Sequence, residues 1–193
     1  MTKSEKTRQF IIEESASIIN KKGVAGTSIT DLMDATKLAK GGIYGNFESK
    51  EEICLEAFNY LTARVGKGLD GAIASKSTSK EKLFALLDYY QNQVARSEIG
   101  GCPLLNFGME ADDTNPAIKQ RVAKSVKVSQ LRISKVVEEG KSSGEFGKRV
   151  DADLFALKMF TMIEGAIFTS RVTGNQGVMK TIADVLKKEI ETF

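Results

Sequence analysis

Apolar and polar positions along this chain repeat with the period of an α-helix. Residues 4–22 show the pattern first, because apolar side chains recur on one stripe while Glu13, Glu14 and Lys22 fall outside it. Gly23 follows, as is common after a helix C-terminus. No stretch alternates strictly between apolar and polar residues, and no Asn-Gly turn joins two apolar runs. The pattern predicts an all-α protein.

Two short helices are predicted after the first one. Ser28 is a suitable N-cap for the second helix, with Asp31 adding a favourable negative charge, and this helix ends near Thr36. After a tight turn, residues 39–46 form the third helix. The apolar residues expected to fix the angle between them are Ile29, Leu32, Leu38 and Ile43. This arrangement is a helix-turn-helix, whose second short helix lies in the major groove of DNA.

Longer helices are predicted for the rest of the chain. Ser49 and Glu52 form a capping-box pattern for a fourth helix that extends to about residue 69. The small, polar segment 70–79 is predicted to be a connector, and Ser79 is expected to cap a fifth helix.

A break at Gly100-Gly101-Cys102-Pro103 separates these helices from the C-terminal ones. The predicted helices beyond it are a short one around residues 104–109 and longer ones over residues 116–141, 151–173 and 176–192. The expected organisation is a DNA-binding domain at residues 1–50 and a larger helical domain at residues 51–193.

Composition and charge narrow the possible functions only slightly. The chain has 193 residues, of which 41% are hydrophobic and 27% charged, as in ordinary globular proteins. Its formal net charge is +3, and residues 1–50 hold eight cations against six carboxylates. Because this surplus is small, any affinity for DNA must come from the placement of the cations.

The residue types that are absent exclude several chemistries. The chain has no histidine, so it lacks the commonest general base and metal ligand, and its two cysteines, Cys54 and Cys102, lie far apart. We therefore expect no enzyme, no metal site and no cofactor. Gly66, Gly68 and Gly71 match the spacing of a dinucleotide-binding loop, but they follow a helix and no βαβ unit is predicted.

The expected location is the cytoplasm. The N-terminal residues lack the apolar core of a signal peptide. No apolar run approaches the roughly 18 residues that would suggest a membrane span, so no membrane association is expected.

The first quarter of the chain resembles the tetracycline-repressor (TetR) family. The similarity begins at Arg8 and Ile11-Ile12, continues through Gly23 and Thr27-Ser28-Ile29, and is most specific in the run Lys40-Gly41-Gly42-Ile43-Tyr44-x-Asn46-Phe47-x-Ser49-Lys50-Glu51-Glu52-Ile53. The resemblance implies a small N-terminal DNA reader followed by a larger helical domain that binds a ligand and forms a homodimer.

The resemblance also assigns DNA contacts. Tyr44 is implied to reach a phosphate through its hydroxyl, and Lys50 to reach the DNA backbone. Asn46 is expected to read a base edge. The full set of expected DNA-binding residues is Ser28, Thr30, Lys40, Gly41, Gly42, Tyr44, Asn46 and Lys50.

Two positions depart from the family pattern. Lys37 stands in the turn where the family usually has glycine, and a positive φ there would cost a lysine about 1 kcal/mol. Ala39 replaces the usual hydroxyl N-cap of the third helix.

The larger domain is expected to bind a small apolar or amphipathic ligand, since aromatic residues and methionines suit an adaptable apolar pocket. Asn106, Glu110 and Glu164 are the polar groups expected to orient it, with solvent exposure as the alternative. The other candidates, for which a plain core role is the alternative, are Phe58, Leu61, Tyr89, Tyr90, Leu105, Phe107, Met109, Met159, Met162, Ile163 and Phe168. Cys102 is a further ligand-binding candidate. An alternative function is sensing of oxidants or electrophiles through its thiol, because Cys102 precedes a helix N-terminus that can lower the thiol pKa; a small buried thiol without a sensing role is the competing account.

The last two predicted helices are more apolar than a single buried face requires. Packing within the subunit is one explanation, and the family resemblance favours a homodimer built as a four-helix bundle. The residues expected to form this interface are Leu154, Phe155, Leu157, Phe160, Ile163, Ala166, Ile167, Val178, Ile182, Val185, Leu186 and Ile190. A two-fold dimer matches a palindromic operator.

The resemblance implies a mechanism in which a ligand shifts the conformer population of the fourth helix and thereby lowers operator affinity. Repression is the family's commoner mode. An enzyme and a helical interaction module are the competing function classes, and neither would show salt-dependent binding to a specific duplex.

Overall fold

The computed structural model of the chain describes residues 1–96 and 100–193, and for residues 93–96 it describes the backbone alone. Within these residues the chain forms nine α-helices and no β-strand, which confirms the all-α prediction. In chain order they are α1 (Lys3–Lys22), α2 (Ile29–Thr36), α3 (Lys40–Tyr44), α4 (Lys50–Ala74), α5 (Ser79–Arg96), α6 (Pro103–Ala111), α7 (Pro116–Ser143), α8 (Ala152–Thr173) and α9 (Gly177–Ile190). None of the helices in the described part is long and apolar enough to cross a membrane.

The chain packs as two compact units. The first comprises Met1–Arg64 and Glu98–Val122, and the second comprises Val65–Ser97 and Ala123–Phe193. The first unit extends beyond the expected boundary at residue 50, because side chains of α4 and α6 bond to α1 and to the loop after it. The functional division into residues 1–50 and 51–193 stays a prediction.

The core of the first unit is formed by apolar residues of its helices. Ile11 and Ile19 of α1 and Leu32 of α2 are fully buried. Phe58 of α4 packs against Phe107 of α6 with ring centroids 5.2 Å apart. Burying a side chain of this size contributes about 1.5–3 kcal/mol to folding, so this core holds the short helices α2 and α3, which are too short to be stable alone.

The core of the second unit lies between α5, α8 and α9. Met159 and Leu186 are fully buried in it, and Phe193 packs edge-on against Phe155 at 4.7 Å between ring centroids. Several residues predicted to face a partner subunit lie instead in this core, because α8 packs on α9 within one chain. The residues to which this correction applies are Phe155, Phe160, Ile163, Ala166, Ile167, Leu186 and Ile190.

One face of α8 remains exposed although it is largely apolar. The exposed fractions are 61% at Leu154, 50% at Leu157, 54% at Phe168 and 70% at Val172. These residues recur every three or four positions, with exposed Thr161 and Gly165 between them. We call the six residues the α8 stripe; Val185 of α9 is also exposed.

Two sequence-based boundaries were wrong. Helix α4 continues through Asp70 to Ala74, so the connector is shorter than residues 70–79, and Arg132 of α7 holds the Asp70 carboxylate at 2.9 Å. Thr78 rather than Ser79 caps α5: its hydroxyl accepts from the Glu81 N–H, and the Glu81 carboxylate accepts from the Thr78 N–H.

The three glycines with dinucleotide-loop spacing lie inside α4. Gly66, Gly68 and Gly71 are helical, and the ring of Tyr89 occupies the space that a Cβ at Gly68 would need. The role of Gly68 is therefore close packing of α4 against α5.

Candidate nucleic-acid interface

Helix α3 presents an exposed face on the first unit. Lys40, Gly41, Gly42 and Tyr44 are exposed, with 40% of Tyr44 accessible, while Ile43 is completely buried beneath them. The Lys40 ammonium lies 5.9 Å from the centroid of the Tyr44 ring. Residues 37–47 contain two lysines and no carboxylate. This face can therefore approach a polyanion without a repelling charge of its own.

The start of α2 is fixed by a reciprocal capping box. The Ser28 hydroxyl accepts from the Asp31 N–H at 3.1 Å, and the Asp31 carboxylate accepts from the Ser28 N–H at 2.8 Å. Lys22, at the end of α1, lies 2.6 Å from the same carboxylate. The hydrogen bond from Lys22, followed by those from Ser28, lowers the pKa of Asp31 to about 2. Ser28 therefore caps α2, a structural role in addition to its predicted DNA contact. Thr30, also predicted to contact DNA, is exposed on α2.

Asp31 makes the stability of the first unit depend on acid pH. Its pKa in the folded chain is about 2, below the ordinary value of 3.8, so the carboxylate stabilises the fold above about pH 4 and this contribution is lost as pH falls toward 2. We expect the free energy of unfolding, measured with urea between pH 7 and pH 2.5, to fall less steeply with acid in Asp31→Asn than in the parent chain. Exposed Asp34→Asn is the matched control, and equal slopes in all three proteins would contradict this assignment.

The turn between α2 and α3 adopts the conformation anticipated for position 37. Lys37 has φ 56° and ψ 23°, in the left-handed region. The Thr36 hydroxyl donates to the Leu32 carbonyl at 2.7 Å and accepts from the Leu38 N–H at 3.3 Å, which holds the turn in place. Ala39 is the N-cap of α3 and provides no side-chain hydrogen bond. The left-handed turn thus forms with lysine at position 37, and α3 begins without a side-chain cap.

Arg8 of α1 anchors the C-terminal end of α3. Its guanidinium donates to the Asn46 carbonyl at 2.6 Å and to the Glu52 carboxylate at 2.5 Å, and it lies 4.1 Å from the centroid of the Phe47 ring. The hydrogen bond from Arg8, followed by one from the Glu48 N–H, keeps the pKa of Glu52 below its ordinary value. The predicted capping box of α4 is only half formed, because the Ser49 hydroxyl accepts from the Glu52 N–H while the Glu52 carboxylate turns to Arg8 and Glu48.

Asn46 and Lys50 are engaged by the chain itself. The Asn46 amide donates to the Gly42 carbonyl at 2.9 Å, and its side-chain oxygen faces the Ser4 hydroxyl at 3.4 Å. Reading adenine requires both the donor and the acceptor of a carboxamide, so a base contact would fall to the second N–H and the second lone pair of Asn46, and it stays a prediction. The Lys50 ammonium donates to the carbonyls of Val24 and Thr27 at 2.8 and 2.9 Å, which leaves one of its three N–H groups for a phosphate.

The polar residues of α6 have a different role from the predicted one. The Asn106 amide donates to the carbonyls of Asn20 and Gly100 at 2.8 and 3.0 Å. The Glu110 carboxylate accepts from the N–H groups of Val24 and Ala25 at 2.6 and 2.5 Å. These side chains therefore tie α6 to the end of α1 and the following loop instead of standing ready for a ligand.

The apolar ligand candidates differ in their environment. Met109 is 71% exposed and lies two residues from buried Phe107, on the opposite side of α6. Phe168 is exposed in the α8 stripe. A ligand role for either residue stays a prediction. Phe58, Leu61 and Phe107 are buried in the first unit, and Tyr90, Met159 and Ile163 in the second. Leu105, Tyr89, Met162 and Glu164 are half-buried.

The second unit contains a pocket of about 330 Å³, away from the predicted ligand-binding residues. It is located where α8 begins and α9 ends, and its lining includes Arg149, Leu154, Phe155, Lys158 and Phe193. None of the predicted ligand residues lines it, so assignment of a ligand to those residues stays a prediction.

The two cysteines have different surroundings. Cys54 is buried in α4, and burial raises the pKa of its thiol to about 11, which keeps it protonated at neutral pH. Cys102 is the half-buried N-cap residue of α6. Neither is in a disulfide.

Two family models match parts of the chain. The family model described as "Bacterial regulatory proteins, tetR family" matches residues 11–57, and the model "Tetracyclin repressor-like, C-terminal domain" matches residues 79–186. A TetR-family transcriptional regulator from Cytophaga hutchinsonii of known structure is 36% identical, with a TM-score of 0.93 over 99% of this chain and 96% of that chain.

Two curated relatives are more distant. An uncharacterized HTH-type transcriptional regulator of Lactococcus lactis subsp. lactis is 28% identical over 188 residues, covering 96% of this chain and 93% of the relative. The HTH-type transcriptional repressor DhaR of Mycobacterium sp. (strain GP1) is 22% identical over 173 residues, covering 88% and 84%. From the exposed α3, the two family-model matches and the close structural relative, it follows that this chain belongs to the TetR family of DNA-binding transcriptional regulators.

Proposed function

We propose that the protein is a homodimeric repressor that binds a palindromic operator through α3 and releases it when a small apolar or amphipathic ligand binds. The observation that carries the proposal is the face of α3, where four of the five helix residues are exposed and only Ile43 is buried. A helix of five residues is too short to be stable by itself, and buried Ile43 fixes it to the first unit. Its exposed side chains are the ones that a reader of the major groove needs.

Each exposed residue of α3 has a distinct role in this proposal. The Tyr44 hydroxyl donates to a phosphate, and the Lys40 ammonium reaches a phosphate or a base edge at the start of the helix. Gly41 and Gly42 let the backbone approach the DNA closely. Ser28 at the N-cap of α2, Thr30 on α2 and the remaining N–H of Lys50 add contacts to the DNA backbone.

Dimerisation is proposed to occur through the α8 stripe. Its four large apolar side chains are each at least half exposed in a single chain. A contiguous apolar face of this kind is a common feature of interfaces. A second copy that pairs α8 and α9 would bury it in a four-helix bundle and present two copies of α3 to a two-fold symmetric duplex.

Repression and ligand response are proposed by similarity. The relative DhaR is named as a repressor. A ligand that binds one conformer more tightly than the other shifts the population by its differential affinity, and release of DNA follows when the favoured conformer fits the operator poorly. Mass spectrometry of small molecules extracted from the purified protein would identify the ligand class.

Selection from a random duplex library on the full-length chain tests the DNA-binding proposal. We expect a two-fold symmetric sequence to be enriched, and its affinity to fall about 10³–10⁵-fold between 50 and 200 mM salt, because phosphate contacts release counterions. The proposal would be contradicted if no sequence were enriched, or if the affinity did not change with salt concentration.

A further inference from the structure

The loop between α1 and α2, residues 23–28, is held from two sides by opposite charges. Glu110 of α6 uses both carboxylate oxygens to accept from the N–H groups of Val24 and Ala25. Lys50 of α4 donates to the carbonyls of Val24 and Thr27. The peptide groups of Val24 are therefore fixed by an anion at the N–H and by a cation at the carbonyl. Charged hydrogen bonds of this kind are shorter and stronger than neutral ones.

The backbone conformation of the α1–α2 loop leaves room for the Glu110 carboxylate. Gly23 has φ 81°, a value that L-residues rarely adopt, and a Cβ at this position would lie 2.6 Å from Glu110 Oε2. The Thr27 hydroxyl donates to the Gly23 carbonyl at 2.6 Å and closes the loop from inside. A glycine is thus needed at position 23 both for its conformation and for the approach of Glu110.

The position of this loop determines where α2 begins. Ser28, the N-cap of α2, is the last residue of the loop, and α2 leads through the single turn at Lys37 into α3. A second contact lies one helical turn earlier on α6, where Asn106 holds the carbonyl of Asn20. Since Asn106 and Glu110 are four residues apart, they share one face of α6 and hold α1 and the loop together.

We propose that Glu110 is a positioning residue for DNA recognition, and that α6 controls the placement of α2 and α3 through this two-sided clamp on the α1–α2 loop. The inference rests on the proposed DNA-reading role of α3. Hydrogen bonds weaken steeply once the donor and acceptor are more than about 3.5 Å apart, so a shift of α6 of about 1 Å releases both contacts of Glu110. Of the two charged side chains, only Lys50 then holds the loop, and α3 loses its fixed register on the bases.

This role predicts a loss of specificity and not a uniform loss of affinity. Contacts to phosphates carry no sequence information, whereas contacts to base edges do. Weakening the clamp therefore lowers affinity for the selected operator and leaves affinity for a scrambled duplex nearly unchanged. A purely destabilising change would lower both affinities by the same factor, because it would reduce the folded fraction.

The test compares Glu110→Gln, Glu110→Asp and the matched control Asp113→Asn by fluorescence anisotropy on both duplexes at one salt concentration. Asp113 is exposed three residues further along, so the control removes the same charge from nearly the same place. We expect the ratio of operator to scrambled affinity to fall about tenfold in Glu110→Gln and Glu110→Asp, which lose one or both charged hydrogen bonds, and to stay unchanged in Asp113→Asn. An unchanged ratio in both Glu110 variants, or a parallel fall of both affinities, would overturn the proposal.

Hydrogen exchange separates failure of this inference from failure of the proposed function. If the parent chain prefers no operator, the DNA-reading proposal fails on its own. In either case Glu110→Gln is expected to speed exchange at the amides of Val24 and Ala25 relative to Asp113→Asn, and equal exchange rates would show that Glu110 does not hold the loop.

Discussion

The double variant Leu157→Glu with Phe168→Glu should be monomeric and should bind the operator about 10²–10⁴-fold more weakly than the parent chain, because linked half-sites gain affinity from effective concentration. Both side chains are at least half exposed in one subunit, so the change does not enter the core of the second unit. In a dimer that buries the α8 stripe, it would place unpaired carboxylates in an apolar interface, which costs several kcal/mol. Sedimentation velocity measures the oligomeric state, and anisotropy measures the affinity.

The matched control is Val128→Glu with Leu131→Glu on α7. These two apolar residues are 49% and 44% exposed and lie outside the α8 stripe. The control should remain dimeric and keep its operator affinity. If the α8 variant is also a dimer with parent-like affinity, the proposed interface is wrong.

The second large effect is expected for Gly41→Glu on α3. No atom lies within 4 Å of the position a Cβ would take at Gly41, so the subunit should fold normally. If this face enters the major groove, each subunit then brings a carboxylate against the phosphates, and like charges across an interface cost several kcal/mol. We expect operator affinity to fall about 100-fold or more, with a melting temperature equal to or above that of the parent chain.

Gly71→Glu is the control for this charge reversal. Gly71 is also an exposed helical glycine with open space around its Cβ position, and it lies in α4 of the second unit. Gly71→Glu should leave operator affinity unchanged. Similar affinities for Gly41→Glu and the parent chain would show that α3 does not face DNA.

Local sequence signals predicted most of the fold. Capping residues such as Ser28 and Asp151, and glycines such as Gly23, act within a few residues of the helix end they determine, so the sequence places those ends correctly. The end of α4 was missed because the small residues after Asp70 resemble a linker, and the contact of Asp70 with Arg132, 62 residues away, could not be read from the sequence. Tertiary contacts of this kind leave no periodic signal.

The exposed residues of the candidate site could be predicted from the sequence. The roles of the side chains that hold α3 and the α1–α2 loop in position could not. The α3 motif identified Lys40, Gly41, Gly42 and Tyr44, and all four are exposed as a DNA-facing role requires. Glu110 was instead assigned to a ligand, because its backbone partners at Val24 and Ala25 lie 86 and 85 residues away. The bracing role of Arg8 was missed for the same reason, although its place in the family motif was a usable signal.

Photo-crosslinking from position 44 decides whether α3 lies against DNA. Tyr44 is replaced by p-benzoylphenylalanine, an aromatic residue of related shape, and the parallel site is exposed Leu131 on α7. Irradiation with the selected operator should crosslink DNA to position 44 of each subunit and not to position 131. Normal operator binding without any crosslink from position 44 would contradict the assignment of α3 as the DNA-reading helix.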